Sequence, residues 1–168
     1  MEYTKYLNDT NPRVLIEVKN YGDITVELFP EVAPITVNNF IKLTESNFYK
    51  NLTFHRVIKG FMIQGGDPLG NGMGGSKETI KGEFFSNGVK NQLNHTKGVI
   101  SMARTSAPNS ASSQFFLMHS AADYLDGEYA AFGATVEGLD VIDKIASVKT
   151  DRYDMPLEKV SFSIKRIR

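Results

Sequence analysis

One arginine and one amide set among large apolar side chains, on two short extended segments joined through a glycine, can hold an apolar group beside a polar one. Residues 54–67 have this composition: Phe-His-Arg-Val-Ile-Lys-Gly-Phe-Met-Ile-Gln-Gly-Gly-Asp. A buried strand has no use for Arg56 and Gln64 among Phe54, Val57, Ile58, Phe61 and Met62 unless the polar groups face something. The segment therefore reads as a site hinged at Lys59–Gly60. Gln114-Phe115-Phe116-Leu117 repeats the mixture. The two-residue period of a strand puts Gln114 and Phe116 on one face, and Met62 and Gln64 on one face, so the two segments predict a single groove. Alone, Arg56 reads more readily as an edge residue with a buried stem or as half of an ion pair than as part of a site. The paired faces and the strand end Ser101-Met102-Ala103-Arg104-Thr105 shift the reading toward a site.

Other chemistries lack their parts. Gly70-Asn71-Gly72-Met73-Gly74-Gly75 has glycines at the first, third and sixth positions of a dinucleotide fingerprint. That fingerprint needs a strand before it, a helix after it and an acid about 20 residues on. Asp67-Pro68-Leu69 precedes the glycines, Ser76-Lys77-Glu78-Thr79 follows, and residues 91–95 hold no acid, so the stretch reads as a loop. His55, His95 and His119 are not at metal-ligand spacing and read as strand or loop residues. Cysteine is absent, which excludes disulfides, thiolate metal sites and a thiol nucleophile, and the serines of 106–113 lie in no nucleophile elbow. Neither a metal nor a cofactor is expected.

The elements that must position these residues follow from periodicity. Arg13–Val18 and 24–29, separated by Asn20-Tyr21-Gly22-Asp23, form a hairpin after a polar leader over 1–12. From Pro34, Val37, Phe40 and Ile41 recur at helical spacing, and Val141, Ile142, Ile145 and Ala146 define a second helix entered from Gly138. Strands are expected at 99–103, 114–118, 130–136 and around Val160, Phe162 and Ile164. With the two segments of 54–67, the count is about eight. Eight short strands with only two helices favour a mostly β fold, an antiparallel sheet closed into a barrel and capped by two helices. The 168 residues read as one domain. Equal numbers of basic and acidic residues, 19 each, give no field for nucleic acid, and no apolar run approaches a membrane span. A cytoplasmic location is expected, since the first residues do not form a secretory signal, and the chain is expected to be a monomer.

Taken in order, Phe54-His55-Arg56, Gly60-Phe61-Met62-Ile63-Gln64-Gly65-Gly66-Asp67, Asn71–Gly75, Gly82-Glu83-Phe84, Ser113-Gln114-Phe115-Phe116, Leu125-Asp126-Gly127 and Phe132-Gly133 resemble the cyclophilin family of peptidyl-prolyl cis-trans isomerases. The resemblance implies an eight-stranded antiparallel barrel with two helices, acting on proline-containing peptides and unfolded proteins. By it, Arg56 is the catalytic arginine. Phe61, Met62, Phe116 and Leu125 receive the proline ring, while Gln64, Ala103, Arg104 and Gln114 line the peptide backbone. Tyr124 stands where many eukaryotic members have tryptophan, which implies weakened binding of the cyclic peptide cyclosporin. Tyr129 replaces a pocket histidine. Arg104-Thr105-Ser106-Ala107-Pro108 is similar to bacterial members. The alternative is a proline-peptide binding or chaperone module without useful catalysis.

Overall fold

The computed structural model describes residues 1–168 throughout. Strands β1 (Arg13–Val18) and β2 (Gly22–Leu28) pair from Arg13↔Glu27 to Val18↔Gly22, the hairpin expected around Asn20–Asp23. Strands β3 (Leu52–Ile58), β4 (Met62–Gly65), β5 (Val99–Met102), β6 (Phe115–Met118), β7 (Ala131–Glu137) and β8 (Ser161–Arg166) complete the set. Every pairing is antiparallel, and the order β1-β2-β7-β5-β6-β4-β3-β8 closes on itself. Closure leaves no unpaired sheet edge.

Alternation fills the barrel. Val14, Ile16, Ile24, Val26, Ile63, Ile100, Leu117 and Ala134 are all inaccessible to solvent. Phe115 sits at the centre of an aromatic lattice, with Phe40, Tyr49, Phe54 and Phe162 at centroid distances of 5.5, 5.7, 6.3 and 5.8 Å. The rings meet mostly edge to face, the arrangement the ring quadrupoles favour. Each buried phenylalanine contributes about 2–3 kcal/mol by removal from water.

Helix α1 (Pro34–Glu45) turns Val37 and Phe40 inward, and α2 (Leu139–Ala146) turns Val141, Ile142, Ile145 and Ala146 inward. Helix α1 packs on β8, whereas α2 packs on β2, β3 and β4. Ala33 at the N-cap of α1 has no oxygen to offer its free N–H groups. The buried carboxylate of Glu83 takes that role from 47 residues away, accepting from the N–H of Ile35, the N–H of Thr36 and the Thr36 hydroxyl.

The polar leader differs from its expectation. Glu2–Tyr6 form a short 3-10 helix, Tyr3 is buried, and its hydroxyl donates to the Thr135 carbonyl at 3.1 Å. Asn11 is buried as well and donates to Glu27 Oε2 at 2.9 Å. Glu27 also accepts from Arg13 at 2.9 Å and Arg168 at 3.0 Å, so both ends of the chain are tied to one carboxylate on β2. Burial pushes that carboxyl group up. The hydrogen bonds from Asn11, the Asn8 N–H and Arg13 outweigh burial and hold it below the usual range.

Candidate active site

The site is a row of side chains running across four neighbouring strands. Arg56 on β3 lies opposite Gln64 on β4, Gln64 opposite Phe116 on β6, and Phe116 opposite Ser101 on β5. The next row, Val57, Ile63, Leu117 and Ile100, points into the barrel and is buried.

A β-bulge makes this alignment possible. Phe54 pairs with Gly65 and Arg56 with Gln64, so His55 is an extra residue on β3. Strict alternation from Phe54, which is buried in the core, would turn Arg56 inward; the extra residue turns it out onto the groove and returns Val57 to the core. The hint in the sequence is the three-residue spacing of Phe54 and Val57, which no regular strand accommodates on one face. His55 is buried with no partner on either ring nitrogen, and burial lowers its pKa against the opposing pull of Asp67.

Nine of the eleven residues singled out in the sequence line one pocket of about 140 Å³: Arg56, Phe61, Met62, Gln64, Ala103, Arg104, Phe116, Leu125 and Tyr129. Its volume suits a small apolar ring, with the guanidinium at the rim. Gln114 instead lines an adjoining polar groove with Gln64, Ala103, Arg104 and the Gly72–Ser76 loop. Tyr124 lines neither. It is exposed and lies beside the pocket with its ring 6.0 Å from that of Phe61.

The amides between the two spaces have only one consistent orientation. Arg56 can only donate, so Gln64 Oε1 faces its Nη1, at 3.5 Å. Gln64 Nε2 then donates to Gln114 Oε1 at 2.9 Å, and Gln114 Nε2 donates to the carbonyls of Gly72 and Gly74 at 3.0 and 2.8 Å. Those carbonyls belong to the glycine loop. Its N–H groups close around the buried Asp67 carboxylate, with donors at Leu69, Asn71 and Gly72 at 2.8, 3.1 and 2.6 Å. Burial raises the Asp67 pKa, but these donors and Gly74 outweigh burial and hold it low. The loop thus carries its own anion where a nucleotide fingerprint would receive a phosphate.

Arg104 lines both the pocket and the adjoining groove. Its guanidinium lies 4.7 Å from the Phe84 ring and 4.6 Å from the Tyr129 ring, and it donates to the Glu128 carbonyl at 2.6 Å. Its head is folded back as a wall of the pocket. Behind Phe116 lies His95, a residue whose type and spacing carried no signal in the sequence. The His95 ring stacks on Phe116 at 6.0 Å, Nδ1 donates to Asp126 at 3.0 Å, and Nε2 accepts from the Ser101 hydroxyl at 2.8 Å. Burial pushes the His95 pKa down, with Asp126 pulling the other way.

Comparison with known proteins assigns the class. Residues 13–167 match the family model of cyclophilin type peptidyl-prolyl cis-trans isomerases, and the chain belongs to that family. The isomerase CYP18-2 of Arabidopsis thaliana is 40% identical over 150 residues, covering 89% of each chain. The isomerase cypE of Dictyostelium discoideum is 44% identical over 140 residues, covering 83% of this chain and 87% of that one. The isomerase-like 2 protein of Rhizopus delemar is 44% identical over 152 residues, but this chain spans only 28% of its length. A solved cyclophilin from Cryptosporidium parvum superposes with a TM-score of 0.86 at 34% identity, covering 94% of this chain and 98% of that one. A second structure of that protein, obtained in the presence of the dipeptide Ala-Pro, gives 0.85 at 35% identity. These relatives are eukaryotic, so the bacterial likeness read from Arg104–Pro108 finds no support in them.

Proposed function

We propose that this chain accelerates cis-trans rotation about X-Pro bonds in peptides and in unfolded or flexible protein segments, assisting folding, with Arg56 as the catalytic residue. Rotation out of planarity costs ~18–20 kcal/mol because the nitrogen lone pair must leave conjugation. In the twisted state that nitrogen is pyramidal and can accept a hydrogen bond that the planar amide cannot. A guanidinium aimed at it therefore stabilises the transition state over the ground state. No bond is made or broken, so neither nucleophile nor cofactor is required. Phe61, Met62, Phe116, Leu125 and Tyr129 hold the ring, while Gln64, Ala103, Gln114 and the wall formed by Arg104 hold the flanking chain.

The observation that carries this reading is the row Arg56–Gln64–Phe116, which sets the guanidinium at the rim of a pocket of about 140 Å³ lined by Phe61, Met62 and Leu125. The Cryptosporidium cyclophilin crystallised in the presence of Ala-Pro supports the same ligand class. A single domain over 1–168, a monomeric state and a cytoplasmic setting belong to the same proposal, as does weak cyclosporin binding. No helix is long and apolar enough to cross a membrane.

The second reading, a binding or chaperone module, shares the pocket but predicts no rate effect. A protease-coupled assay on a short X-Pro peptide separates the two. Catalysis requires the slow phase of about 10–100 s to shorten in proportion to protein concentration; a slow phase that stays unchanged at saturating protein leaves binding alone.

A further inference from the structure

The turn between β3 and β4 presents Phe61 and Met62 to the pocket. Phe61 N–H closes it on the Ile58 carbonyl at 3.0 Å, and Gly60 takes φ 79°, the left-handed backbone that glycine accommodates. That closure leaves the Gly60 N–H unused by the turn. It donates instead to Nδ1 of His119 at 2.8 Å. His119 follows β6, and its own N–H and that of Ser120 both donate to the Phe61 carbonyl, at 2.9 and 3.3 Å. Three hydrogen bonds thus fasten the turn to residues 119–120. Two are backbone pairs, and the third depends on an imidazole.

The state of that imidazole is fixed by its partners. A backbone N–H can only donate, so Nδ1 is the unprotonated nitrogen, and Nε2–H donates to Asp143 Oδ1 of α2 at 3.1 Å. Asp143 also holds Lys97 at 2.7 Å, and the first cause of its lowered pKa is that hydrogen bond. These are the charged groups facing the ring: Asp143 from α2 and Lys97 from the segment before β5. Lys59, within the turn, is exposed.

We infer that His119 is a positioning residue for the proline pocket, holding the Gly60–Phe61 turn in its binding geometry through the acceptor Nδ1. The inference rests on the pocket assignment proposed above. Because the pocket holds the ring in the planar and twisted states alike, losing the contact raises KM and leaves kcat nearly unchanged.

The test is NMR exchange on a short X-Pro peptide at pH 8, which needs no coupling protease and gives both affinity and turnover. His119→Leu is expected to lose affinity by roughly twofold to tenfold, the size of one hydrogen bond, with kcat nearly unchanged. His119→Asn, whose amide oxygen replaces Nδ1 as an acceptor, restores the affinity. At pH 8 the ring ¹⁵N shifts of wild type report a proton on Nε2 and none on Nδ1. A loss in His119→Asn equal to that in His119→Leu, or the opposite tautomer in wild type, overturns the inference. So does wild-type affinity in His119→Leu at pH 8 when Phe61→Ala binds weakly. Unchanged affinity in Phe61→Ala overturns the pocket assignment itself, and this inference with it.

Discussion

Replacing Arg56 by alanine removes one exposed side chain whose only polar partner is Gln64 Oε1 at 3.5 Å. No buried group loses its partner, so the stability of the variant should lie within about 0.5 kcal/mol of wild type. Turnover should change far more. A hydrogen bond from a charged donor contributes about 1.5–3 kcal/mol, and loss of a preorganised donor from a closed site costs up to about 4 kcal/mol. At about 1.4 kcal/mol per tenfold, kcat should fall between tenfold and a thousandfold. The groove here is open to solvent, which places the expectation in the lower half of that range. KM should hardly move, because the planar nitrogen of the bound substrate accepts nothing from Arg56. Arg56→Lys keeps the charge but loses the planar fork that lets one N–H rest near Gln64 while another reaches the nitrogen, so its kcat should lie between the two. The assay is protease-coupled isomerisation of an X-Pro peptide, alongside thermal unfolding of each variant. Undiminished kcat in a folded Arg56→Ala protein, or a loss confined to KM, refutes the role given to the guanidinium.

Two further expectations concern the clasp at the chain ends and the rim of the pocket. Glu27 is held below its unfolded pKa of about 4.3, so its stabilisation is complete above that pH and is lost as pH falls through the folded value. Glu27→Gln should therefore be less stable at pH 7 by about 1–3 kcal/mol, discounted because Arg13 and Arg168 are partly exposed, and should lose less Tm between pH 5 and 3 than wild type. Parallel Tm curves for the two proteins would contradict this. Tyr124→Trp enlarges the exposed ring beside Phe61 and adds an indole N–H, so cyclosporin affinity measured by calorimetry should rise about tenfold with little change in peptide turnover; equal affinities in the two proteins would detach Tyr124 from drug binding.

The barrel was legible because its strands obey period two wherever one face is buried: Val14, Ile16 and Val18, or Phe162 and Ile164, are read directly from alternation. The helices were legible for the corresponding reason at period 3.6. Departures arise where one residue interrupts a period or where a contact spans long sequence distances. His55 shifts β3 by one position and so decides which way Arg56 points, which alternation alone would place with Phe54 in the core. Glu83 caps a helix 47 residues away, and Tyr3 reaches Thr135 across 132 residues, so neither leaves a local signature. The charge of Arg104 suits a peptide contact, but nothing local in the sequence says that its head packs on the faces of Phe84 and Tyr129 and donates to the Glu128 carbonyl.

Phe115 and Phe116 are adjacent, yet one packs among four aromatic rings inside the barrel and the other faces the groove outside. A barrel so completely filled cannot swallow a ligand. Whatever it handles must be laid across the outer wall, with both ends of the polypeptide free to run on past the rim. Under the function proposed above, size would place no ceiling on the client: a tripeptide and a proline loop on a large folded protein would meet the same few residues. Admission would depend on whether the loop stands proud enough to lie flush against β3, β4 and β6. Local protrusion of the client chain, and not its length or overall state of folding, would then be the quantity by which this surface selects.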